Sequence, residues 1–265
     1  MKIVVFDLDE TLGYFTQFGI FWDALSFYIT NNNNSLLSQN DFNKILDLFP
    51  HFLRPNIINI LNYLKIKKQN KCCYKIIIYT NNNSSRDWSQ YIIQYFEQKI
   101  QYKLIDQIIA AFKINGITNE ICRTTHHKTH NDFMKCTQIP INAEICFLDD
   151  TFYPQMATEQ VYYINIKPYY FNYTFEYMLD KFYANSIGKI LINTINTNSN
   201  FKHVMMKQIN LYNYKYINKN VKEYELDKNV GKHIIQHLKY FFNKNKTKRH
   251  RNSNYRKTRK KCKHT

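Results

Sequence analysis

The chain has 265 residues, 44% of them hydrophobic and 22% charged, enough to bury one main core. Its net charge of +17 is uneven: eleven Lys and Arg and no acid lie between Lys244 and Lys263, so the remainder carries only +6. No apolar run approaches the roughly 20 residues of a membrane-spanning helix, and a strand starting directly after Met1 leaves no space for a secretory leader; an intracellular protein with no membrane partner is expected.

The first element, Lys2 to Phe6, carries four β-branched or aromatic residues in a run too short for a helix, and reads as a strand buried on both faces. It runs straight into Asp7 and Asp9, with Glu10 and Thr11 behind them. Two carboxylates about 4 Å apart repel by about 4 kcal/mol at an effective dielectric near 20. A cation, a shared proton or open solvent has to offset that.

Tyr14 to Pro50 holds two helical stretches, Phe21 to Ile29 and Ser38 to Phe49, the second with Phe42, Ile45, Leu46 and Phe49 at helical spacing behind a Ser38 cap. Arg54–Pro55 opens a further helix with Ile57, Ile58, Leu61 and Leu64 as its buried stripe, Pro being suited to a helix start. A second buried run, Tyr74 to Thr80, is broken by asparagines and followed by a helix from Trp88 to Ile100. Gln107 to Phe112 reads as a third strand; a His-rich loop and a short helix near Asp132 to Thr137 follow. A fourth run, from Ala143, ends in Asp149–Asp150, and a fifth, Val161 to Ile166, stops at Lys167–Pro168. Beyond Tyr170, Phe175 to Phe182 suits one helix and Ile234 to Phe242 another.

Strand and helix alternate, which predicts an α/β fold with a parallel sheet flanked by helices. In such sheets ligands bind outside the carboxyl ends of the strands, where Asp7, Thr80 and Asp149–Asp150 all stand. The expected organisation is a core over 1–183 with a small helical insert at 14–50, a C-terminal helical extension over 184–243 and a disordered basic tail over 244–265. Such a tail could contact nucleic acid or an acidic partner, or act as a nuclear import signal. Six cysteines without a CxxC pair are expected as free thiols in a reducing compartment. Cys122, His126, His127, His130 and Cys136 are the one cluster of soft-metal ligands, but their spacing matches no zinc pattern.

"DLDET" after the first strand, Thr80 after the second, a lysine ahead of a helix and "DD" closing a later strand resemble the haloacid dehalogenase superfamily. "DLDETL" with "LRP" (Leu53 to Pro55) resembles its carboxy-terminal-domain phosphatase and NLI-interacting-factor-like branch. "YTNNN", "HHKTHNDF" and "ICFLDDTFYP" are most similar to uncharacterised members carried by large DNA viruses, which would place the protein in host cytoplasm or nucleus. The resemblance covers Lys2 to Pro168 and implies a Rossmannoid core with a small or absent cap.

It also implies roles. Asp7 is the nucleophile that forms an aspartyl-phosphate, and Asp9 the general acid and base. Asp7, Asp149, Asp150 and the backbone carbonyl of Asp9 form the Mg2+ site, with Asp150 as the direct ligand of the pair and Asp149 as the partner orienting the lysine, the reverse order being the alternative. Thr80 and the backbone N–H groups of Leu8 and Asn81 hold the phosphate, and Thr11 steadies the loop. The lysine is Lys128, in the loop ahead of the helix, with Lys135, whose spacing to "DD" is closer, as the alternative. Neither spacer between the motifs accommodates a large cap, and a small-molecule phosphatase usually needs a lid. The expected substrate is therefore a macromolecule, phosphoserine or phosphothreonine protein ahead of a polynucleotide phosphate. A non-catalytic binding protein on the same fold is the alternative.

Overall fold

The computed structural model describes residues 1–33, 35–84, 86–193 and 201–261. In chain order its elements are β1 (Lys2–Phe6), α1 (Thr16–Asn33), α2 (Gln39–Leu46), α3 (Ile57–Gln69), β2 (Lys75–Tyr79), α4 (Arg86–Ile100), β3 (Gln107–Ile109), β4 (Lys113–Ile114), β5 (Ile117–Thr118), α5 (His130–Thr137), β6 (Glu144–Asp149), β7 (Val161–Asn165), α6 (Phe175–Ala184), α7 (Ser186–Asn193), α8 (Phe201–Asn210) and α9 (Val221–Lys261). Five of the strands form one parallel sheet in the order β3-β2-β1-β6-β7, a Rossmann-like α/β arrangement. The chain winds outward from β1 through β2 to β3, then crosses back to β6. The order therefore reverses between β1 and β6, and the crevice at their carboxyl ends is where ligands bind in such sheets.

Residue alternation along the strands makes two cores. Val4 and Phe6 join Ile76, Ile78, Cys146 and Leu148 in the larger one, while Ile3 and Val5 join Ile77, Tyr79, Ile145 and Phe147 in the smaller one, which α5 covers through Phe133. The insert belongs to the larger core: Phe18, Phe21, Phe42 and Phe49 are fully buried within it. Ser38 caps α2 as expected, its hydroxyl accepting the Asp41 N–H at 3.2 Å while Asp41 accepts the Ser38 N–H at 2.9 Å. The C-terminal helices pack on the same body, α8 against α1 and α9 against α3 and β7. Gly231 permits the α9 contact, since a Cβ there would come within 2.4 Å of the Pro55 carbonyl oxygen.

Three expectations are corrected. The first insert helix is longer at both ends, and α2 stops at Leu46, its place taken by turns and a short 3-10 segment, Pro50–Phe52. The third strand ends at Ile109, because the Ala110 carbonyl is taken by Arg123 (2.8 Å) and Asn115–Gly116, both at positive φ, fold the chain into the β4–β5 hairpin. Cys122 and Cys136 are a disulfide, not free thiols, which also removes both sulfurs from any zinc site. The backbone of α9 is helical to Lys261, a stretch in which Lys and Arg are good helix formers; residues 262–265 lie outside the described residues. No helix among the described residues is long and apolar enough to cross a membrane.

Candidate active site

Asp7 follows β1 directly and its N–H donates to the Leu148 carbonyl at 2.9 Å, so the carboxyl ends of β1 and β6 are tied together at the site. Asp7, Asp149 and Asp150 each bring a carboxylate oxygen within 4.8 Å of the others. Lys128 reaches into this cluster, donating to Asp7 Oδ1 at 2.5 Å and to Asp149 Oδ2 at 2.7 Å. Its side chain is fully buried. Burial alone would pull its pKa down, but Asp7 and Asp149 outweigh that and carry it above the ordinary lysine value, so the ammonium persists. Lys135 stands exposed on α5. Of the two candidate lysines, the structure brings Lys128 to the site.

The carboxyls feel the opposite balance. Burial, with Asp7 adding to it, pushes Asp150 and Asp149 upward, against the pull of Lys128. Asp9 is raised to about 7, chiefly by burial and then by the neighbouring charges of Asp7 and Asp150, although its Oδ2 accepts a hydrogen bond from Asn82 Nδ2 at 2.6 Å. Its carboxylate is not part of the three-aspartate cluster. Glu10, held at a φ of 54°, is raised to about 8 by burial and by Asp9, Asp150 and Asp7.

The cluster fits a hard divalent cation. All three side chains offer carboxylate oxygens, and one ammonium against three carboxylates leaves net negative charge in a buried place. Thr11 fixes one of the three: its hydroxyl accepts the Asp150 N–H at 3.2 Å and donates to Asp150 Oδ1 at 3.0 Å. The Thr11 hydroxyl is buried and engaged by Asp150. Leu8 contributes no side chain, being packed in the larger core.

Thr80 and Asn81 line the crevice together with Asp7, Asp9, Lys128 and Asp149. The Thr80 hydroxyl oxygen accepts the Asn82 N–H at 3.0 Å, which leaves its proton to donate. Asn81 lends its amide to structure, Oδ1 accepting from Arg123 at 2.8 Å and Nδ2 donating to the Tyr153 hydroxyl at 3.0 Å.

Several residues of the site escape sequence reasoning. Arg123 is buried and donates to the carbonyls of Thr80 (3.0 Å), Ala110 (2.8 Å) and His126 (3.0 Å), with its guanidinium over the Tyr79 ring at 4.8 Å. Arg54, also buried, donates to the carbonyls of Thr11 (2.6 Å), Lys167 (2.8 Å) and Glu10. Nothing in the sequence separates these two from any loop arginine. Glu10, Asn82 and Tyr153 line the crevice as well; their signal is only adjacency to "DLD", Thr80 and "DD". The disulfide joins residues 14 apart and encloses both Arg123 and Lys128. His126 and His127 present carbonyls to Arg123 and belong to no metal cluster found among the described residues.

Compared with protein-family models, with curated proteins and with solved structures, the chain matches none.

Proposed function

We propose that the protein is a Mg2+-dependent phosphomonoester hydrolase that works through an aspartyl-phosphate on Asp7, as the likeness to the haloacid dehalogenase superfamily implies. One observation carries the reading: Lys128 bridges Asp7 and Asp149 at the carboxyl ends of adjacent strands, with Asp150 completing a three-carboxylate cluster and Asp9 two residues from Asp7. Asp7, Asp149 and Asp150 would hold the ion, which when bound screens the charge between phosphate and carboxylates.

The chain's own groups supply the rest. Lys128 engages Asp7 Oδ1, orienting the carboxylate so that its other oxygen attacks phosphorus. As that bond forms, the P–O bond to the leaving group breaks, and Asp9 gives its proton to the departing oxygen. A carboxyl raised to about 7 is half protonated near neutrality, which suits an acid that must next act as a base. Asp9 then takes a proton from water, whose oxygen attacks phosphorus, and the bond to Asp7 breaks to release phosphate and restore the carboxylate. The Thr80 hydroxyl and the backbone N–H groups of Leu8 and Asn81 are assigned to the phosphate oxygens, and Lys128 offsets the charge that collects there.

The test is hydrolysis of p-nitrophenyl phosphate by the purified chain, with and without Mg2+, against Asp7→Asn. Mg2+-dependent turnover that Asp7→Asn abolishes is expected. Equal, metal-independent rates in the two proteins would sink the enzyme reading and leave a binding protein.

A further inference from the structure

Beside the crevice lies a larger cavity of about 730 Å³, within the roughly 300–1,000 Å³ of small-molecule sites. Asp9 and Asn82 line both spaces, so the cavity begins at the carboxyl that would protonate a leaving oxygen. Its aromatic lining comes from three parts of the chain: Tyr14 and Trp22 at the insert, Trp88 and Tyr91 on α4, and Tyr212 and Tyr214 between α8 and α9. Three of these rings are fixed from behind. Trp22, Trp88 and Tyr91 all pack on the fully buried Phe42, with ring centroids 5.1, 5.6 and 5.1 Å away. Rings held by a packed core need no ordering when a ligand arrives. Across the cavity the Tyr212 hydroxyl donates to Asp23 Oδ2 at 3.1 Å, tying the C-terminal segment to α1. The expected open crevice is therefore only half of the site, because the small insert and the C-terminal extension together wall the other half.

We propose that this cavity takes the nucleoside of a phosphorylated nucleotide, its base laid against the aromatic rings and its phosphate directed to Asp7. The phosphate end rests on the phosphatase reading above; the preference for a base stands on the cavity's own lining. Stacking on aromatic rings suits any base, since each has a π face. Asn213, Asp23 and Ser84 offer donors and acceptors around the rings for base edges and sugar hydroxyls. Lys215, also lining the cavity, adds a cation opposite Asp23. An extended phosphopeptide would instead seek a sheet edge or a groove that meets its backbone, and a lining built largely of aromatic side chains offers that poorly. In the reaction, the P–O bond to the nucleoside breaks, the nucleoside oxygen takes the Asp9 proton, and water completes the phosphate released from Asp7.

Both tryptophans of the chain line the cavity, so intrinsic fluorescence reads its occupancy without catalysis. Adenosine, which carries no phosphate, is expected to quench it saturably in the full chain. Tyr212→Ala removes one wall and Thr16→Phe fills the cavity, both at exposed positions; each is expected to weaken that binding roughly 10-fold. In turnover, kcat/KM for adenosine 5′- and 3′-monophosphates or for short end-phosphorylated single-stranded DNA should exceed that for glycerol 2-phosphate and a phosphoserine peptide by roughly 10- to 100-fold. Preference for the free nucleotide or for the strand identifies the source of the nucleoside, and either supports the assignment. No saturable quenching by adenosine, or a preference for the phosphopeptide, overturns it. Quenching without turnover of any ester would keep the cavity's assignment and overturn the phosphatase reading instead.

Discussion

Replacing Lys128 by Met removes the ammonium that bridges Asp7 and Asp149 at 2.5 and 2.7 Å while keeping much of the side-chain volume. At an effective dielectric of 20 each contact is worth roughly 6 kcal/mol of gross attraction. Desolvating three buried ions opposes most of that, and the measured cost of removing one partner from a buried pair is about 3–5 kcal/mol. For a chain of this size that corresponds to a fall in Tm of roughly 6–20 °C. The loss should be partly reversed by saturating Mg2+, because a second cation can then offset the three carboxylates. Urea unfolding and thermal melts of Lys128→Met, with and without Mg2+, measure this directly. Lys135→Met is the control; at an exposed helix position it should stay within about 0.5 kcal/mol of wild type. A loss below about 1 kcal/mol in Lys128→Met, or equal losses in the two variants, would refute the reasoning that the ammonium holds the cluster together.

Three further outcomes are expected. Carboxyls raised in the folded state, to about 7 for Asp9 and about 8 for Glu10, bind protons more tightly folded than unfolded; their stabilisation is full below the ordinary carboxyl range and is lost as pH rises through those values. Without divalent cations Tm should therefore be higher near about pH 6 than near about pH 9, and a flat or rising profile would contradict the burial of these groups. Breaking the Cys122–Cys136 bridge by Cys136→Ser should cost about 3 kcal/mol in urea unfolding, the loop-closure value for a separation of 14 residues; an unchanged midpoint counts against the bridge in solution. Thr11→Val removes the hydroxyl that Asp150 engages twice, and should raise the Mg2+ concentration for half-maximal activity about 10-fold, with unaltered Mg2+ dependence as the contrary result.

The sheet was legible because its strands are short, doubly buried and β-branched: Ile3 to Phe6, Ile76 to Ile78 and Ile145 to Leu148 can hardly do anything else. Their polar endings then pointed at one crevice through the strand-end rule alone. The divergences have a common cause. Arg54, Arg123, Tyr212 and Tyr214 act through partners far away in sequence, which no local pattern encodes, and the Cys122–Cys136 bridge depends on a loop meeting α5. The strand from Gln107 is shorter than its apolar run because the Asn115–Gly116 turn folds the following residues into a separate hairpin. Lys128 and Lys135 could not be separated by spacing, since the distinction lies in which one a helix start turns inward.

The two buried arginines explain how so acidic a site keeps its charge. Arg54 feels the charge of Asp150 and Arg123 holds the carbonyl of Thr80 at the crevice, and a guanidinium pairs readily with a carboxylate. Yet Arg54 spends its hydrogen bonds on the carbonyls of Glu10, Thr11 and Lys167, and Arg123 on those of Thr80, Ala110 and His126. They fasten the loops after β1 and β2 by their backbones, so the loops are rigid while Asp7, Asp149 and Asp150 remain unneutralised except by Lys128. Had either arginine formed a bidentate pair with one of these aspartates, a second cation would offset part of the cluster's remaining negative charge and weaken its attraction for a divalent cation. Binding carbonyls also costs the guanidinium its usual partner, and burial accordingly lowers Arg54 to about 10. Rigidity from cations that leave the carboxylates alone, and charge balance from one lysine that does not, is the arrangement the proposed cation-dependent nucleophile requires.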